Sequence, residues 1–92
     1  MWTPFRRRWE RAARRMATEM VTAPQAQFFG LELCRAADIS PADMYLALSR
    51  WEQAGWLTSG WEDVTVRRPR RFYLLTDTGR RELAAIAAGG TL

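Results

Sequence analysis

The stretch Ser40-Pro41-Ala42-Asp43-Met44-Tyr45-Leu46-Ala47-Leu48-Ser49-Arg50-Trp51-Glu52-Gln53-Ala54-Gly55 decides the fold. Ser40 is a good N-cap, Pro41 suits the first helical position, and Asp43 stands where a capping-box acid belongs. Met44, Leu48 and Trp51 then recur at helical spacing, and Gly55 supplies the left-handed residue that commonly stops a helix. This predicts a helix with one apolar face. At about 100 degrees per residue, Ala42, Leu46, Ser49 and Gln53 point away from that face, with Tyr45 and Arg50 on its flanks.

Upstream, only Asp38-Ile39 separates this helix from an apolar pattern over Gln25 to Ala37, which predicts a second helix with Phe28, Leu31, Cys34 and Ala37 inward and Glu32 and Arg35 outward. Before Pro24, Phe5, Trp9, Ala12, Met16 and Met20 recur at steps of three and four. They predict a first helix over 3–22, with Pro4 in its opening turn and Arg7, Arg11, Arg14 and Arg15 on its cationic outer faces. Downstream of Gly55 the period changes to two. Trp56 to Glu62 and Arg71 to Thr76 read as strands around an arginine-rich connector, with Pro69 at the tip or an edge. A last helix over 76–88 carries Leu83, Ile86 and Ala87 and stops at Gly89-Gly90. The expected order is helix, helix, helix, strand, strand, helix: a mainly α chain with a small β-hairpin, in the winged helix-turn-helix arrangement.

A chain of 92 residues is expected to form a single domain over 1–92, since this length builds one modest core. No apolar run approaches the roughly 18 residues of a membrane span, and the charged start is not followed by a signal-peptide core, so a cytoplasmic chain without membrane contact is expected. Cys34 is the only cysteine and there is no histidine, which argues against a disulfide or a zinc site and for a buried thiol. No cofactor is expected. Catalysis is disfavoured, because a histidine base, a Gly-x-Ser-x-Gly turn, a phosphate loop and a metal cluster are all missing. All fourteen basic residues are arginines, and the net charge of +4 with a pI near 10.5 suits a polyanionic partner if folding gathers it on one surface.

From Phe28 to Leu83 the chain resembles the PadR-like transcriptional regulators. The resemblance rests on Tyr45, Ala47, Leu48, Arg50 and Glu52, on Gly55-Trp56-Leu57 after them, and on Arg70-Arg71-Phe72-Tyr73 followed by Leu75-Thr76 and Gly79. It implies a dimeric repressor, associated with the bacterial nucleoid, whose third helix enters the major groove of double-stranded DNA while the hairpin wing touches the backbone. Two departures stand out. Where the family often has Ser-Gly-Thr, this chain has Pro41-Ala42-Asp43, which brings a carboxylate near the expected phosphate. Many relatives also extend through a long C-terminal dimerisation helix, whereas little follows Ala88 here, so a homodimer through Phe5, Trp9, Leu83 and Ile86 of the first and last helices is expected.

On that frame, Ala42, Tyr45, Leu46, Ser49, Arg50 and Gln53 form the candidate reading surface. Gln53 has the chemistry for adenine, Arg50 for guanine or a phosphate, and Leu46 for a thymine methyl; equally, Arg50 can pair with a nearby acid and Leu46 can be a plain exposed leucine. Asp43 is explained by capping and the helix dipole. In the wing, Arg67, Arg68, Arg70 and Arg71 suit phosphates on either side of a minor groove, with a structural place open for Arg71. Trp9, Trp51 and Trp56 fit core positions, while Trp2 and Trp61 have no assigned place. A small aromatic effector between subunits finds no convergent polar group to support it. The rival reading is a winged-helix module that offers Leu46 and Asp43 of its third helix to a protein partner.

Overall fold

The computed structural model describes residues 4–90, and the side chains of 6–90. Its elements are α1 (Pro4–Val21), β1 (Phe28–Phe29), α2 (Gly30–Ala37), α3 (Pro41–Gln53), β2 (Leu57–Trp61), β3 (Arg71–Leu75) and α4 (Asp77–Ala87). The helices α1 to α4 enclose a core in which Met16, Met20, Met44, Leu48 and Leu83 are the largest fully buried side chains. Helix α1 packs most extensively on α4 and then on α2 and α3, so it is the central rod of the helical body.

Local chemistry sets the ends of α3. The Ser40 hydroxyl accepts from the Asp43 N–H at 3.1 Å, and Pro41 occupies the first turn, where its missing N–H has no consequence. At the other end Gly55 takes φ +80, while its N–H donates to Glu52 and that of Trp56 donates to Trp51 at 2.8 Å. These are the two bonds of a Schellman stop. The turn before α3 is equally tight. Asp38 adopts φ 55, and the Cys34 thiol, buried in the core, donates to the Ile39 carbonyl.

The segment before α2 departs from expectation. Instead of a helix from Gln25, Phe28–Phe29 forms a short strand that pairs antiparallel with β3, Phe28 opposite Tyr73 and Phe29 opposite Phe72. The sheet therefore has three strands in the order β1-β3-β2 rather than a lone hairpin. Aromatic residues facing each other across strands stabilise this pairing, and the helix can start only at Gly30, where any side chain would crowd the Met44 sulfur. The inward face is centred nearer Leu33 and Ala37 than the expected line through Leu31 and Cys34. Leu33, Cys34 and Ala37 are buried, and Leu31, expected inward, is 53% exposed.

The junction between sheet and α4 explains the Leu75-Thr76 and Gly79 signal. The Thr76 hydroxyl caps α4 by accepting from the Gly79 N–H, and donates to the Gly55 carbonyl at 2.8 Å. Gly79 lies flat against the Trp56 backbone, where a Cβ would sit 1.9 Å from the carbonyl oxygen. Only glycine fits this approach.

Candidate nucleic-acid interface

Helix α3 has two occupied sides and an open one. Met44, Ala47, Leu48 and Trp51 enter the core. Asp43, 6% exposed, is paired with Arg8 of α1 at 3.5 Å, and the Arg50 guanidinium lies over the Trp9 ring of α1 at 5.2 Å. Ala42, Tyr45, Ser49 and Gln53 remain exposed, and Leu46 is half-buried. The Asp43 carboxylate is thus turned toward α1 and neutralised beside the open strip rather than projecting from it.

The wing stands on the same side as this strip. Tyr45, Ser49 and Gln53 line an open groove of about 430 Å³ whose opposite wall is Tyr73 of β3. A polar relay fixes the two walls together. Arg71 donates to the Ser59 hydroxyl at 2.7 Å, Ser59 donates to Glu52 of α3 at 2.6 Å, and the Arg71 guanidinium also rests 5.2 Å from the centre of the Trp61 ring. Glu52, named in the sequence only as part of the family resemblance, and Ser59, which no pattern singled out, become partners of Arg71 because the strand register brings them together.

The wing loop is a clamp built around one acid. The Glu62 carboxylate, its side chain 12% exposed, accepts from both Nη atoms of Arg67 at 2.6 and 3.0 Å, and from Arg70 Nε and Nη2 at 3.1 Å each. The Arg70 backbone N–H adds a fifth bond. These bonds, those of Arg67 first and those of Arg70 next, hold the Glu62 carboxyl far below the usual carboxylate range, and in return they raise both guanidinium pKa values. Arg70 also pairs with Glu32 of α2 at 2.9 Å and stacks on Phe29 at 3.9 Å. Arg68 is the one wing arginine whose guanidinium has no such partner among the described residues.

A winged helix-turn-helix with its third helix open and its wing beside it is the fold of one large class of gene regulators. The Transcriptional regulator PadR-like family matches residues 29–85, most of the chain. The chain belongs to this family. It is accordingly a DNA-binding transcriptional regulator, and its family is not one of enzymes. No protein of curated function matches the sequence. Several solved structures share the fold. That of smu.1704 from Streptococcus mutans UA159 has a TM-score of 0.68 and 21% identity, covering 84% of this chain and 76% of that one. The circadian clock associated protein Pex from anabaena has a TM-score of 0.70 and 20% identity, covering 87% and 74%.

For a PadR-like regulator, the expected subunit-contact residues need correction. Leu83 is 0% exposed and Ile86 is buried too, both within the chain's own core, where α4 meets α1. Neither side chain is available to a second subunit. Trp9 is half-buried against that core and covered in part by Arg50; the Phe5 side chain lies outside the described residues, as does Trp2. Trp51 and Trp56 pack as a tilted pair 6.5 Å apart, and Trp61 is 63% exposed on the wing. Among the described residues no cluster could hold a metal ion, and no helix is long and apolar enough to cross a membrane.

Proposed function

We propose that this PadR-like regulator is a sequence-specific reader of double-stranded DNA that acts as a homodimeric repressor. Helix α3 lies in the major groove, and the wing lies on the adjacent backbone or minor groove. The observation that carries this reading is the open strip Ala42, Tyr45, Ser49 and Gln53, of which the last three share one groove with Tyr73 of the wing sheet. Gln53 has the donor and acceptor pair for adenine, and Tyr45 and Ser49 can meet bases or phosphates. Arg50, stacked on Trp9 at the edge of the strip, has the charge for a flanking phosphate. In the wing, Arg68 projects to solvent, while Arg67, Arg70 and Arg71 form a pre-set frame around it.

The protein-partner reading rested on Asp43 and Leu46. With Asp43 capped, buried and paired, and Leu46 half-buried, neither supports it. A homodimer would draw on outer surfaces such as Ala84, Ala85 and Ala88, which α4 leaves exposed. Selection of bound fragments from random DNA at moderate salt tests the proposal. A palindrome with half-sites about one helical turn apart is the expected result, and recovery of unrelated sequences with no common element would overturn it.

A further inference from the structure

We propose that the arginine face of α1, centred on Arg11, Arg14 and Arg15, is a second phosphate-binding surface for duplex DNA, outside the footprint of α3 and the wing. This rests on the DNA-binding reading but not on the wing's part in it.

The distribution of charge leads to this surface. Six of the fourteen arginines and two of the ten acids fall between Pro4 and Val21, so α1 carries +4, the whole of the chain's formal excess. The other eight arginines are matched by eight acids. At about 0.1 M salt a field extends roughly 10 Å, so a polyanion at that distance senses local net charge rather than individual arginines. Asp43 and Asp38 pair with Arg8 and Arg15 from outside the helix, so the charge this face offers to a polyanion is centred on Arg11 and Arg14.

Geometry makes the same face accessible and places it beside the reading helix. Arg11 and Arg14 are exposed and form no ion pair among the described residues, and Arg15 donates to the Asp38 carbonyl at 3.1 Å with the Asp38 carboxylate at 4.0 Å. Arg11 and Arg15 line an open groove of about 260 Å³ between α1 and the start of α3, where Ser40 and Asp43 form the other wall. Arg14 and Arg15 carry the row onward along Ala36 and Ala37 of α2. A DNA strand leaving the start of α3 would run along this row. The surface does not suit a membrane, because the apolar side of α1, with Ala13, Met16, Ala17 and Met20, is buried in the core and leaves nothing to insert among lipids.

The test is a salt titration of binding to a random-sequence duplex, comparing the wild type with Arg11→Ala/Arg14→Ala/Arg15→Ala. Alanine at exposed helical positions preserves α1. The expected result is a log-log salt slope shallower by about 0.9 for each arginine removed, with affinity lower on the order of tenfold per arginine at about 0.1 M salt. Three lysines at the same positions should restore the slope. Arg80→Ala/Arg81→Ala in α4, where Arg80 pairs with Asp77, removes charge elsewhere and should change the slope far less per arginine. An α1 variant that keeps the wild-type slope, or shifts it no more per arginine than the α4 variant, would overturn the inference. Absence of salt-dependent binding by the wild type would instead remove the DNA-binding reading.

Discussion

The wing and the first helix are both rich in arginine and use it in opposite ways. In the wing, Glu62 holds Arg67 and Arg70, Glu32 shares Arg70, and Ser59 with Glu52 holds Arg71, so three of four guanidiniums are fixed by neighbours. In α1, Arg6 pairs with Glu10, Arg8 with Asp43 and Arg15 with Asp38, whereas the exposed Arg11 and Arg14 form no ion pair among the described residues. The difference separates shape from charge. A paired arginine keeps its position but gives up its long-range field, while an unpaired one keeps its field and pays no desolvation until a phosphate arrives. The wing thus provides a rigid edge, and α1 provides attraction.

This division requires the wing to be fixed to the helical body, and Gly79 is where that attachment is most exacting. Gly79→Ala places a methyl group into the Trp56 carbonyl, so α4 or β2 must move. We expect a loss of about 3 kcal/mol, at the upper end for overpacked sites, read as a lower urea midpoint. An unchanged midpoint would show that wing and body are joined loosely, and the contrast between them would lose its structural basis.

Glu62→Gln tests the wing's neutrality directly. The substitution keeps the side chain's shape and removes the charge that occupies Arg67 and Arg70. Arg67 is released while Arg70 stays paired with Glu32, so the salt slope on any duplex should steepen by about 0.9, with binding tighter several-fold at about 0.1 M salt. Weaker binding would show that Glu62 aims the arginines at DNA rather than withholding them.

What was legible in the sequence follows the same line between local and distant causes. The third helix could be read because Ser40, Pro41 and Gly55 act within their own turns, and the exposure of Ala42, Tyr45, Ser49 and Gln53 follows from helical phase alone. The local pattern at Phe28–Phe29 predicts helix because its strand state exists only through Tyr73 and Phe72, far along the chain. The wing arginines were visible as a cluster, and Glu62 lies in the same loop, but their other partners Glu32 and Glu52 come from α2 and α3. Periodicity marked Leu83 and Ile86 as an apolar face; it carries no information on whether that face meets its own core or another subunit.

A smaller effect is expected at the one wing arginine left over. Arg68→Ala should weaken all duplexes alike, by no more than about tenfold at about 0.1 M salt, with a slope shallower by about 0.9. Gln53→Ala should instead relax preference at one base position with little change in slope. If Arg68→Ala altered preference rather than slope, the wing would be reading bases.

The smallest expected change is with acidity. Because the Glu62 pKa in the folded chain lies far below its ordinary 4.5, the clamp's contribution is complete above that ordinary value and is lost only as pH falls through the much lower folded one. Arg67 and Arg70, their pKa values raised, stay charged throughout. Between about pH 7 and pH 5 the wing should therefore hold one geometry, and the Glu62 carboxyl carbon should show no titration by NMR while exposed carboxylates begin to move. A Glu62 midpoint near that of a free carboxylate would mean that the arginines release it readily in solution. The wing would then present its charge much as α1 does, and the distinction between a rigid edge and an attracting helix would fail.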